Sequence, residues 1–114
     1  MDTAKTVNDD IQSRIKSLFQ SYRDSLPALM ADIDSLWQQI QIKWDEDQAS
    51  ELLRKVHGLA GSAATFELVE VGELAREIEL TFKPLFKVNG DESRRLKIKQ
   101  LLGKLKQMID SGTS

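Results

Sequence analysis

His57 is the chain's only histidine and there is no cysteine, so imidazole chemistry has to be done by one ring without thiolate help. A free imidazole titrates near pH ~6.5, so at neutral pH much of it carries a lone pair able to act as base, ligand or nucleophile. The segment around it, Val56-His57-Gly58-Leu59-Ala60-Gly61-Ser62-Ala63-Ala64, reads as helix. Leu52, Val56, Leu59, Ala63 and Phe66 make its apolar stripe, and at about 100° per residue His57 lies about 140° from that stripe, toward solvent. Among its neighbours on the wheel Ser50, Ala60, Gly61 and Ala64 are all small. A helical glycine costs about 1 kcal/mol relative to alanine, and Gly58 and Gly61 sit here together. Such a breach of local preference is what a functional site produces, and the benefit would be close access to the ring.

Four uses of His57 can be weighed. It can be a surface residue with no role. A metal site would need further His or Cys ligands, and the Glu-x-x-His pattern of di-iron bundles is missing because Arg54 precedes His57 by three. A Ser-His-Asp hydrolase would need a strained nucleophile turn and an oxyanion hole, which a helical chain does not suggest. The fourth use is covalent: a ring nitrogen that accepts a phosphoryl group and hands it on.

The elements that must position this ring are all helices, since no stretch alternates with period two. Residues 8–24 form a first helix with the stripe Ile11, Ile15, Leu18, Phe19 and Tyr22. Ser25 as cap and Pro27 in the first turn open a second, to about residue 42, with Leu29, Ile33, Leu36, Trp37 and Ile40 inward. Trp37 and Trp44 are expected at the core or its edge. The third helix, about 46–66, follows the acids Asp45-Glu46-Asp47. A fourth runs from Leu68 until Pro84 stops or kinks it, and a fifth follows Asn89-Gly90-Asp91 to about residue 110. Short connections imply antiparallel neighbours, hence an all-α, antiparallel up-down four-helix bundle with an additional N-terminal helix lying across one end or side as a lid. Residues 1–7 and 111–114 are expected to be flexible ends of one domain spanning 8–110.

Composition sets further bounds. A chain of 114 residues with 40% apolar and 30% charged residues suits one modest core. Its net charge of −2 argues against a general nucleic-acid binder. The last helix is nonetheless basic, which a solvated lysine-rich face explains and a docking patch would also explain. The start lacks an apolar leader and no run approaches the ~18 residues of a membrane span, so a cytoplasmic domain without membrane contact is expected.

The run His57 to Phe66, followed by Leu68, Val71, Leu74, Ala75, Ile78 and Glu79, resembles the histidine-containing phosphotransfer (HPt) family. Leu18-Phe19 through Ser25-Leu26-Pro27 is similar to that family's entry into its second helix, so the resemblance covers about 8–110. It implies a phosphorelay protein, probing two partners in turn: a hybrid sensor histidine kinase's receiver that donates, and a response-regulator receiver that accepts. It implies that His57 is the phosphoacceptor, that Gly61 gives the partner clearance, and that Ser62 is the motif serine. Glu79, 22 residues after His57, would orient the ring; an ordinary solvated helix charge is its other reading. The docking face would comprise Ser50, Leu53, Gly61, Ser62 and Ala64. No cofactor is expected on this chain, the Mg²⁺ being the receiver's, and the absence of a glycine-rich phosphate loop implies no kinase activity of its own. A monomer is expected. Two positions depart from the family pattern: Ala60 replaces the motif lysine, and Glu67 replaces the glycine that ends the helix. Arg54 and Lys83 are the cations left to offset a phosphoryl charge. An adaptor that binds signalling partners without being phosphorylated is the rival reading.

Overall fold

The computed structural model describes residues 3–112, with side chains from residue 8 onward. Four helices follow one another: α1 (Thr3–Ile42), α2 (Glu46–Thr65), α3 (Val69–Phe82) and α4 (Glu92–Ser111). A 3₁₀ turn, Lys83–Phe86, carries Pro84 at its start and ends the run of α3 as the proline requires. Each helix packs on the next and α4 returns to α1, so the chain closes a four-helix bundle of up-down topology.

The helix starts follow the expected caps. Asp45 accepts from the Gln48 amide at 2.9 Å and Asp91 from the Arg94 amide at 3.0 Å, each satisfying one orphan donor of a first turn. The core is the meeting of the apolar stripes: Ile33, Trp37 and Ile40 of α1, Leu52, Val56 and Leu59 of α2, Ile78 and Phe82 of α3, Ile98 and Leu105 of α4. Trp37 meets Phe82 edge-on at 6.3 Å, and half-buried Trp44 completes the aromatic end with Phe82 and Phe86.

The largest departure from expectation lies in α1. The two helices expected over 8–24 and 25–42 are one, and helix already begins at Thr3 rather than at residue 8. Ser25 is not an N-cap: its hydroxyl donates to the Tyr22 carbonyl at 2.6 Å, a bond made within the helix. Pro27 costs an internal hydrogen bond, about 3 kcal/mol in an ordinary helix. That cost is offset because Leu26 and Met30, 4% and 2% exposed, continue the inward stripe past Pro27, which itself faces solvent. There is accordingly no separate N-terminal helix acting as a lid. At ~1.5 Å per residue α1 is about twice as long as the 20-residue α2, and its first half projects beyond the bundle in a molecule 67 Å long and 23 Å across. Ile11, Ile15 and Leu18, expected inward, are about half exposed. Phe19 and Tyr22 reach across to the bundle, both stacking or edging against Phe66. Of the expected flexible ends, residues 1, 2, 113 and 114 lie outside the described residues.

Candidate functional site

His57 stands on the outer face of α2 with its side chain 72% exposed. Its Nδ1 is 2.6 Å from Oε2 of Glu79, a carboxylate that reaches across from α3 and is only 7% exposed. The same oxygen lies 3.7 Å from Nζ of Lys83, one turn further along. Glu79 is therefore a buried acid with a ring on one side and a cation on the other, not a solvated helix charge. An ionised carboxylate only accepts, so in the neutral ring Nδ1 carries the hydrogen and Nε2 keeps the lone pair, in the open.

This reach depends on how closely α2 and α3 approach. Gly72 of α3 is buried against α2, and a methyl group there would stand 3.4 Å from the Ala60 carbonyl oxygen and 3.5 Å from Cβ of Ala63. The small residues around His57 thus serve two purposes. Gly58 and Gly61 face open space, where an added Cβ would meet nothing within 4 Å. Ala60 and Ala63 let α3 come near. Sequence reasoning credits Gly58, Ala60 and Gly61 to access, places Ala63 on the apolar stripe and misses Gly72, although a glycine inside an apolar helical stripe is the available signal.

The chain after α2 turns back at once. Glu67 adopts φ 64°, the left-handed conformation that glycine favours. Its amide bonds the Ala64 carbonyl at 3.2 Å, and the Leu68 amide bonds that of Ala63 at 2.8 Å. The helix therefore ends in a full Schellman turn even though glutamate holds the glycine position.

The remaining candidates divide. Ser50, Leu53 and Arg54 border a shallow hollow with His57 and Glu79, lined also by Phe86, a residue the sequence pattern does not single out. Gly61 and Ala64 are exposed on α2. Ser62 does not belong to that outer face: half-buried, it is turned to α1, where its hydroxyl lies 2.6 Å from that of Tyr22. Burial pushes the Tyr22 phenol above the usual tyrosine range. Arg54 is held by Glu51, with Nε and Nη2 at 3.2 and 2.5 Å from its two oxygens. This pairing keeps the Glu51 carboxyl below the usual carboxylate range. Among the described residues no three His, Cys, Asp or Glu side chains are grouped to hold a metal ion, and no helix is long and apolar enough to cross a membrane.

No curated protein and no solved structure matches the chain closely enough to be reported as a relative. A family model does: that of the Hpt domain, over residues 17–111, beginning where α1 first meets the bundle at Phe19. Hpt domains are helical bundles that act as phosphocarriers in two-component signalling, and the match takes in α2, α3 and α4 whole. With an exposed imidazole set on a helical bundle and a family model spanning nearly all of it, the chain belongs to the Hpt domain family.

Proposed function

We propose that His57 is the phosphoacceptor of this domain and that it works between two receivers. Nε2 attacks the phosphorus of a receiver's phosphoaspartate. A nitrogen–phosphorus bond forms as the acyl-phosphate oxygen–phosphorus bond breaks, and the electron pair leaves on the aspartate carboxylate. A second receiver's aspartate then reverses the step and carries the group away. The receivers supply the Mg²⁺ that shields the transferring oxygens, and this chain supplies the nucleophile and the surface on which they dock. The observation that carries the reading is the 2.6 Å contact between Nδ1 of His57 and buried Glu79 under an otherwise open ring. It fixes the tautomer, aims Nε2 outward, and places a negative charge where the ring becomes positive during attack.

Glu79 is the positioning residue in this scheme. Lys83, already 3.7 Å from the Glu79 oxygen that meets the ring, is the cation that offsets the phosphoryl charge in this scheme. It takes the place left by the missing motif lysine at Ala60. Arg54 can assist only by exchanging Glu51 for the phosphoryl group, since its fork is committed one turn away. Ser50, Leu53, Phe86 and the exposed glycines form the receiver's landing surface.

Incubation with a phosphorylated receiver tests this directly. The protein should acquire a label that is stable in base and lost in acid, and His57→Gln should acquire none. Label retained by the variant, or no label on the parent protein, would reject the proposal in favour of an unphosphorylated adaptor.

A further inference from the structure

On the side of the bundle opposite the α2–α3 seam, α1 and α4 meet less closely and leave a groove of about 640 Å³. Trp37 and Leu102 form its floor, Ile42 and Leu96 stand on its edges, and Gly103 leaves one wall bare. Ile42 is 89% exposed and Leu96 57%, so two large apolar side chains flank one opening without cover from this chain. A Cβ at Gly103 would meet nothing within 4 Å, so another backbone can come close there.

The rim is charged in one sense. Arg95, Lys99 and Lys106 border the groove with one acid, Asp34, giving a local net charge of +2. The whole chain carries −2. Asp34 is already paired with Lys106 at 3.7 Å. Arg95 spends its donors on Asn89 and Gln41 and lies over the Trp44 ring, while Lys99 has no carboxylate partner among the described residues. From Asp34 to Ile42 the α1 wall runs about 12 Å, two helical turns, which matches apolar side chains at i, i+3 or i+4, and i+7 of a helix laid alongside.

We propose that this groove docks an acidic amphipathic helix carried by a partner protein, with leucine-like side chains over Trp37 and Leu102 and its Glu or Asp residues against Lys99. The chain's own projecting α1 half does not fit that description: residues 8–20 carry Asp9 and Asp10 balanced by Arg14 and Lys16. Because the groove lies behind His57, a tethered partner would leave the ring open to a visiting receiver. The contact would raise the receiver's effective concentration if both belonged to one protein.

The test uses two synthetic peptides of about four helical turns, identical in leucine spacing, one flanked by glutamates and one by lysines. Each is titrated into the full chain while amide and indole N–H shifts, that of Trp37 among them, and total tryptophan fluorescence are followed. The glutamate peptide should bind at least ~10-fold more tightly, shift Leu96 and Gly103, and weaken as salt is raised. Gly103→Leu should fill the groove and cut that affinity at least ~10-fold with helicity and phosphoryl transfer intact, and Lys99→Glu should abolish the preference between peptides. Equal binding of both peptides, no binding of either, or unchanged binding to Gly103→Leu would overturn the proposal. So would a dimer in sedimentation that Ile42→Glu disperses, which would assign the groove to a second copy. Retention on anionic vesicles without peptide binding would assign it to a lipid surface and equally overturn it.

Discussion

The α2–α3 and α1–α4 seams are built from similar helices and put to opposite ends. Along α2–α3, a buried glycine faces alanines, and the backbones come close enough for the Glu79 carboxylate to reach the ring of His57 at 2.6 Å. Along α1–α4, Gly103 points outward instead of inward, and the seam opens into a groove edged by Ile42, Leu96 and basic side chains. A glycine turned inward tightens a contact and fixes geometry, while a glycine turned outward leaves room for something that arrives. Close packing is what a single reactive nitrogen needs, since small misplacements are costly in rate. An apolar groove with a charged rim suits a contact set by pattern and charge more than by fixed geometry.

Placing the same large side chain in each seam puts that contrast to the test. Gly72→Leu has to force α3 away from Ala60 and Ala63, so it should cost about 1–3 kcal/mol of stability by denaturant unfolding and slow transfer to His57 as Glu79 withdraws. Gly103→Leu should unfold no more readily than the parent protein, because its side chain enters open space. Equal losses in the two variants would end the distinction between the seams.

Within the tight seam, access and positioning can be separated. Gly61→Gln leaves the helix and the Glu79 contact intact but obstructs the approaching receiver, and transfer should fall by about 100-fold if the partner is held off by even ~1 Å. Normal transfer would show that the small face is a packing feature alone. Glu79→Ala removes a charge-assisted hydrogen bond of about 1.5–3 kcal/mol, and transfer should fall ~10–100-fold. The imidazole nitrogen resonances should at the same time lose their preference for the Nδ1–H tautomer, a change that a merely structural glutamate would not produce.

Much of this contrast could be read from the residues. His57's exposure, the stripe through Leu52, Val56 and Leu59, the caps Asp45 and Asp91, and the stop at Pro84 are all set by local pattern and chemistry. The length of α1 was not legible, because Ser25 and Pro27 spell a helix start by themselves. Burial of Leu26 and Met30 decides otherwise, and that is a tertiary fact. The same holds for Gly72 and for the depth of Glu79, since each depends on how near a second helix comes. The α1–α4 groove was visible only as a basic bias in the last helix, its apolar floor being divided between distant segments.

A finer comparison lies in the two helix ends that adopt the left-handed conformation, Glu67 at φ 64° after α2 and Gly112 at φ 71° after α4. Glycine takes that conformation freely, whereas a residue with a Cβ pays about 1 kcal/mol. The Schellman bonds from Glu67 and Leu68 are backbone bonds and do not need the carboxylate. Glu67→Gly should therefore stabilise the protein by about 1 kcal/mol, and Gly112→Glu should destabilise it less, because the turn after α2 is locked by buried Leu68 while Gly112 is exposed. Denaturant midpoints at constant slope are the measurement. If Glu67→Gly leaves the midpoint where it is, the turn is not strained, and the α2–α3 connection holds its geometry by packing of Leu68 alone.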